Sequence, residues 1–414
     1  MGEYERLPAV GVGALTRWCP PELVDAVVDK CHRREHWVRL LPARTMVYFE
    51  LTRCLFPTEG YARVYEHLLP LSGTVPDPAP AGYRVPNKSS LCKARASLGP
   101  EVLELLFHEV AGPLATPETC PQGFWRGLRV LSFDGALLQV ADTGENTAAF
   151  GRRTAEGVPA AYPQARVVPL IECATHAVVD AAVGGWNTSE TTLARQLAPA
   201  TGPGTLVLAD AGMPGVRLWQ AFTTTGAELL WRLDSAEASR VERELPDGSY
   251  LARIHLSHLD RDRSDPQDWV VPPPRAVLMR VIEYRVEGSE RPVRLGTTLL
   301  DPDAAPAAEL AGLYPRRWES EGQLAETKAA QLGTETVLRS ATPRGVRQEI
   351  WAQLVVHQLT RTLMQHAADR ADPPLDPARL SFRRAQTLTR NDLRPGLSPL
   401  RTAKPYRTGR RPAP

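Results

Sequence analysis

The feature that most constrains the fold of this chain is a change of hydrophobic period at Trp125. Before it, apolar residues recur at helical spacing. After it come short apolar runs bounded by turn residues. RVLSFDGALLQV is β-branched and apolar, and is interrupted by Asp134-Gly135. RVVPLIECATHAVVDAAVGG supplies two more strands around a turn at Ala174-Thr175-His176. SETTLARQLAPA reads as a helix capped by Ser189, and TLVLAD as a short strand ending in Asp210. GVRLWQAFTTTGA is the next helix and ELLWRL the next strand. Residues 128–233 therefore read β-β-β-α-β-α-β, an α/β arrangement with a mixed sheet flanked by helices.

The flanks differ from this middle. Residues 8–70 are helical in pattern: PPELVDAVVDKC opens on prolines suited to a first turn, and LLPARTMVYFELTRCLF follows. After the break TVPDPAPAGYRVPN, the stretch KSSLCKARASLGPEVLELLFHEVAGPL reads as two helices split at Leu98-Gly99-Pro100. This unit is helix–turn–helix in outline, with Lys88, Lys93 and Arg95 beside Ser89 and Ser90. It suits either a DNA-contacting helix or a plain packing unit. Residues 234–300 read as a β-rich insertion built from LPDGSYLARIHL, AVLMRVIEYRV and RPVRLGTTLLD. Helix returns in AAPAAELAGLYPRRWESEGQLAETKAAQL and in the amphipathic QEIWAQLVVHQLTRTLMQHAAD. At 414 residues, two or three domains are expected. They are an N-terminal helical domain (1–120), an α/β domain (121–378, with the 234–300 insertion) and a tail (379–414).

The formal net charge of +2 conceals an asymmetry, because the tail holds nine Arg, one Lys and a single acid, Asp392. A basic, proline-containing end of this composition is expected to stay disordered until it meets a polyanion. The six cysteines are scattered and form no CxxC pair, the start MGEYERLPAV holds no leader-like apolar segment, and no apolar run is long enough to cross a bilayer. A cytoplasmic protein with reduced thiols is the expectation. No phosphate-binding glycine loop is present, so no use of ATP is expected.

Three acids stand out by position. Asp134 interrupts a strand, Asp210 ends one, and Glu321 lies on a charged helix. Ligand sites in open α/β sheets gather at such strand ends. Each aspartate also reads as a simple cap of the turn that follows it. In LYPRRWESEGQLAETK, at about 100° per residue, Arg317, Glu321 and Lys328 fall within roughly 60° of Tyr314. That face suits a metal-bound phosphate whose backbone continues along the helix. It equally suits a solvated face with an Arg317–Glu321 pair.

The spacing Tyr314-x2-Arg317-x3-Glu321-x6-Lys328 resembles the signature of the insertion sequence family four transposases, which are DDE enzymes of mobile DNA. LSFDGALLQVADTGENTAAFGR, from Leu131 to Arg152, is similar to the family's block around its first catalytic aspartate. IECATHAVVDAAVG, LVLADAG and VLRSATPRGVRQEIW resemble further family segments in the expected order, and the N-terminal region is similar to the family's N-terminal domain. The resemblance implies a ribonuclease-H-like core in which Asp134, Asp210 and Glu321 are the catalytic acids. They would hold two Mg2+ or Mn2+ ions, with Arg317, Lys328 and Tyr314 contacting DNA. It implies hydrolysis at element ends and joining of the resulting 3′-OH to target DNA. The expected partner is double-stranded DNA, bound as terminal inverted repeats and as target, by a homodimer on paired ends. The chain departs from the pattern at Ala211, where relatives often carry Arg, at Asp234, where they often carry a basic residue, and at Pro315. The departures at Ala211 and Asp234 leave open an inactive descendant that binds element ends as a repressor, and a metal-dependent nuclease without strand transfer is a further alternative.

Overall fold

The computed structural model describes residues 13–34, 41–68, 85–155, 158–212, 215–233, 241–255, 276–285, 292–317, 337–372 and 375–392. The N-terminal region forms α1 (Gly13–Trp18), α2 (Pro21–Lys30), α3 (Ala43–Leu55), α4 (Tyr61–Leu68), α5 (Lys88–Leu98) and α6 (Pro100–Val110). The α5–α6 corner turns at Gly99, whose φ of 75° is a conformation that favours glycine. The strands are β1 (Phe124–Trp125), β2 (Leu128–Phe133), β3 (Ala136–Gln139), β4 (Thr154–Ala155), β5 (Val158–Pro159), β6 (Gln164–Glu172), β7 (Val178–Gly185), β8 (Thr205–Ala209), β9 (Glu228–Leu233), β10 (Val241–Glu244), β11 (Tyr250–His255), β12 (Ala276–Tyr284) and β13 (Val293–Thr297). Between and after them run α7 (Gly144–Phe150), α8 (Glu190–Arg195), α9 (Val216–Thr224), α10 (Ala307–Leu313), α11 (Pro343–Asp369) and α12 (Phe382–Asp392).

The main sheet runs β10-β11-β12-β13-β9-β8-β2-β6-β3, with β1 paired to β2 and β7 to β6. Its centre is β7-β6-β2-β8-β9. There β6 is antiparallel to β2 and β7, while β2, β8 and β9 are parallel. That order and direction is the ribonuclease-H-like sheet. The 234–300 insertion is part of the same sheet, because β13 pairs antiparallel with β9 and carries β12, β11 and β10 outward. The insertion also sets where α10 begins. Arg280, buried on β12, donates to Ala305 O at 2.6 Å and to Ser249 Oγ at 2.7 Å. It pairs with Asp247, whose carboxylate accepts the Ala307 N–H at 3.1 Å.

Strand alternation gives the sheet two buried faces. Phe133, Val207, Ala209, Leu229 and Trp231 point to one, where α8 and α9 pack through Leu193, Ala194, Trp219 and Phe222. Val130, Leu206, Leu208 and Leu230 point to the other, which α10 covers with Leu310 and Leu313.

Among the described residues, the N-terminal helices share their core with the rest of the chain. Val47, Phe49, Leu51, Leu103 and Phe107 share one cluster with Trp351, Ala352 and Val355 of α11 and with Val178 and Ala181 of β7. A buried ionic network crosses this seam. Glu50 accepts from Arg53 at 2.7 Å and from Arg95 at 2.9 Å, and Arg53 reaches Glu349 of α11 at 3.4 Å. Arg95 also donates to Gly345 O at 2.7 Å. This favours the packing reading of the α5–α6 unit for Arg95, while Lys88 and Lys93 are exposed.

One expectation is corrected by the fold. The basic end was expected to be disordered from residue 379, yet Phe382–Asp392 is helical and α12 docks on α11 and α3. Phe382, Gln386 and Thr389 are buried, a helical spacing that the high arginine content obscured.

Candidate active site

Asp134 and Asp210 are neighbours across the sheet. In the parallel pairing of β2 with β8, Arg129 lies opposite Thr205 and Ser132 opposite Leu208, an offset of 76 positions. Asp134 and Asp210 have the same offset, so each leaves its strand end at the same level. Adjacent strands lie about 4.8 Å apart, so the two residues stand side by side at neighbouring strand ends. The β8–β9 pairing, Ala209 opposite Trp231, likewise puts Arg232 level with Asp210. The row Asp134, Asp210, Arg232 continues the alternation of Ser132, Leu208 and Leu230. It therefore belongs to the face that α10 covers.

The end of α10 supplies the next two side chains. After Leu313 the chain tightens into a single 3₁₀ turn, Tyr314–Arg316, with Pro315 inside it. Proline is tolerated in such a first turn, where its missing N–H costs nothing. Tyr314 is buried, and its hydroxyl lies 3.3 Å from Ala209 O and 3.5 Å from Asp210 Oδ1. Burial pushes the Tyr314 phenol well above its ordinary pKa, so at neutral pH the hydroxyl keeps its proton. Arg317 donates from Nε to Tyr314 Oη at 3.1 Å and places Nη2 3.6 Å from Asp210 Oδ1. Tyr314 and Arg317 thus share a face, as the helical spacing anticipated. Arg317 is only 2% exposed, so its guanidinium lies behind Asp210 and not in solvent. Arg232 approaches the same oxygen at 3.9 Å from the open side, where it is 42% exposed and Asp210 is 40% exposed.

Around Asp134 the surroundings are acidic. Its Oδ1 accepts the Gly135 N–H at 2.9 Å. Glu190, the first residue of α8, packs directly on Gly135: a β-carbon placed there would overlap the carboxylate and lie 2.9 Å from Glu190 Cγ. Ser189 caps α8 by accepting the Thr192 N–H at 3.1 Å, which fixes where Glu190 projects. Burial raises the Glu190 pKa, and the negative charge of Asp210 adds to the rise. The Arg166 guanidinium and the Gly135 N–H oppose it.

The donor set suits hard divalent cations. Asp134 and Asp210 offer carboxylate oxygens at neighbouring strand ends, and Asp210 remains open to solvent on one side. Among the described residues, no three His, Cys, Asp or Glu side chains gather to hold a metal ion. Glu321 and Lys328 lie outside the described residues. The structure therefore brings Asp134, Asp210, Tyr314 and Arg317 to one place. Arg232 and Glu190 were not singled out in the sequence. Arg232 could have been found only from the strand register, and Glu190 reads in sequence as an ordinary first-turn acid.

Among known proteins, residues 9–108 match the family described as Insertion element 4 transposase N-terminal, and residues 125–359 match the Transposase DDE domain. The chain is similar to "Transposase InsG for insertion sequence element IS4" of Escherichia coli (strain K12). The two are 30% identical over 359 residues, covering 86% of this chain and 77% of the relative. It is also similar to "Putative transposase InsZ" of the same organism, 28% identical over 131 residues, or 31% of this chain and 44% of the relative. Among solved structures, the cryo-EM structure of the piggyBac transposase synaptic complex with hairpin DNA aligns with a TM-score of 0.46 and 9% identity. That alignment spans 94% of this chain and 78% of the other.

Proposed function

The chain belongs to the DDE transposases of insertion sequence family four, and on that footing we propose that it cuts element ends by metal-dependent hydrolysis and joins the 3′-OH to target DNA. The observation that carries this reading is the register match of Asp134 and Asp210, with α10 delivering Tyr314 and Arg317 to the same strand tips. Two divalent cations held there would stabilise the attacking and leaving oxygens of an in-line displacement. Asp134 and Asp210 would hold them, with Glu321 as the third carboxylate. Tyr314 and Arg317 both approach Asp210 Oδ1, while the carboxylate stays 40% exposed. With a cation on Asp210, Arg317 would be free to share a phosphate with Lys328, and Tyr314 would support Arg317 through its hydroxyl. Arg232 adds positive charge beside Asp210, where Ala211 supplies none. DNA is bound as element ends and target, by a homodimer on paired ends.

The test uses the purified chain, Mg2+ or Mn2+, and DNA carrying the element's own ends. We expect nicks at those ends and joined products in a target plasmid. Binding of the ends without nicking in either metal would support a repressor instead. Nicking without joined products would support a nuclease.

A further inference from the structure

Two observations set Glu190 apart from the acids that the family pattern supplies. It approaches the Asp134-Gly135 corner from the face covered by α8 and α9, opposite to the face from which Tyr314 and Arg317 reach Asp210. Its carboxylate also occupies the space that any side chain at position 135 would need. The strand-end acid is thus followed by a residue that must lack a β-carbon for Glu190 to stay where it is.

The Gly135 N–H has a particular problem to solve. It donates to Asp134 Oδ1 at 2.9 Å, so it ties up one of the oxygens that would ligate a cation. If Asp134 turned that oxygen outward, the N–H would depend on its other acceptor, because an unpaired backbone donor beside a packed helix is unfavourable. The Glu190 carboxylate is the acceptor already in contact with Gly135.

We propose that Glu190 is a positioning residue of the catalytic centre: it takes over the Gly135 N–H and so frees the Asp134 carboxylate to bind a metal ion. Ser189 holds Glu190 at the start of α8, and Arg166 balances its charge. Glu190 acts through the Asp134-Gly135 corner and touches neither DNA nor the reacting phosphate. This role rests on Asp134 being a metal ligand, as proposed above.

The experiment is Mn2+ titration of the full chain followed by calorimetry, for wild type, Glu190→Gln and Glu190→Ala, with circular dichroism to check the fold. Wild type serves as the control for the underlying reading. If wild type binds no Mn2+, the metal-site assignment fails, whatever Glu190 does. Given wild-type binding, Glu190→Gln keeps a carbonyl acceptor and should retain the affinity. Glu190→Ala should weaken it by about 10- to 100-fold, the usual cost of losing a group that orients a ligand. Glu190→Ala binding like wild type would overturn the proposal. So would Glu190→Gln being as impaired as Glu190→Ala, since charge and not acceptance would then be what matters. If Glu190→Ala does not fold, Gly135→Ala serves in its place. It displaces the Glu190 carboxylate without removing it, and should lower Mn2+ affinity in the same direction. Unchanged affinity in Gly135→Ala would overturn the proposal as well.

Discussion

Two ionic clusters in this molecule both pair carboxylates with guanidinium groups and do opposite things. At the seam between the N-terminal helices and α11, Glu50, Arg53, Arg95 and Glu349 are all buried, with contacts of 2.7 to 3.4 Å. Ser340 completes the shell, donating to Glu349 from its hydroxyl at 2.6 Å. Burial alone would raise the Glu349 pKa, but Arg53, Arg95 and Ser340 outweigh it and hold the group below its ordinary value. At the tips of β8 and β9, Asp210 meets Arg317 and Arg232 at 3.6 and 3.9 Å and stays half open to water. The seam has spent its charges on each other. The strand tip has a carboxylate that is steadied and still available. The difference teaches where structure ends and chemistry begins: a closed network specifies packing, and a loose, open one keeps a ligand free.

The comparison can be broken first at the seam. Glu50→Ala leaves Arg53 and Arg95 buried without their shared acceptor, and should cost about 3–5 kcal/mol in urea unfolding. A loss below about 1 kcal/mol would show that water enters the seam and that the network is not closed.

Next in size is a pH effect from the same region. His357 of α11 contacts His176 O at 3.0 Å, and burial, aided by the positive charge of Arg361, pulls both imidazoles down to about 3. Their folded pKa lies below the unfolded value of about 6.5, so the stability they contribute is present above about 6.5 and is lost as pH falls. Melting temperature should decline from pH 6.5 towards pH 4, at a cost of roughly 1.4 kcal/mol per unit for each histidine at most. His357→Gln should flatten that slope, and an unchanged slope would assign it to other groups.

Smaller still is the change at the strand tip. Tyr314→Phe removes the hydroxyl that joins Ala209 O, Asp210 and Arg317, and should cost about 1 kcal/mol of stability. It should lower cleavage without abolishing it, because Asp210 keeps both guanidinium neighbours. A cleavage rate equal to wild type would show that Asp210 needs no support from behind. The smallest effect belongs to an exposed pair: Lys30→Ala breaks the contact with Glu109 at 2.6 Å and should change stability by less than about 1 kcal/mol.

Local features of this fold were legible in the sequence, and long-range ones were not. The switch of period at Trp125, the Asp134-Gly135 interruption and the Ser189 cap are each written in a few adjacent residues, and each is found where expected. The offset of 76 between β2 and β8 is a property of pairing across the sheet, so no stretch of sequence records it. Arg232 was invisible for the same reason. Glu50 and Arg53 were not singled out in the sequence and Arg95 was left open between a DNA contact and packing, because burial of an ionic residue depends on partners as distant as Glu349. The tail misled through composition. Its nine arginines face a single acid, yet Phe382 packs between His357 and Arg361 and docks α12.

The central claim is that Asp134 and Asp210, level on neighbouring strands, hold the metal ions. Electron paramagnetic resonance of the Mn2+-loaded chain on element-end DNA tests it most directly, with Asp134→Asn and Asp210→Asn compared under the same conditions. The account predicts a pair of coupled ions in wild type and loss of that coupling in both variants, while circular dichroism stays unchanged. Coupled ions retained in either variant would contradict it.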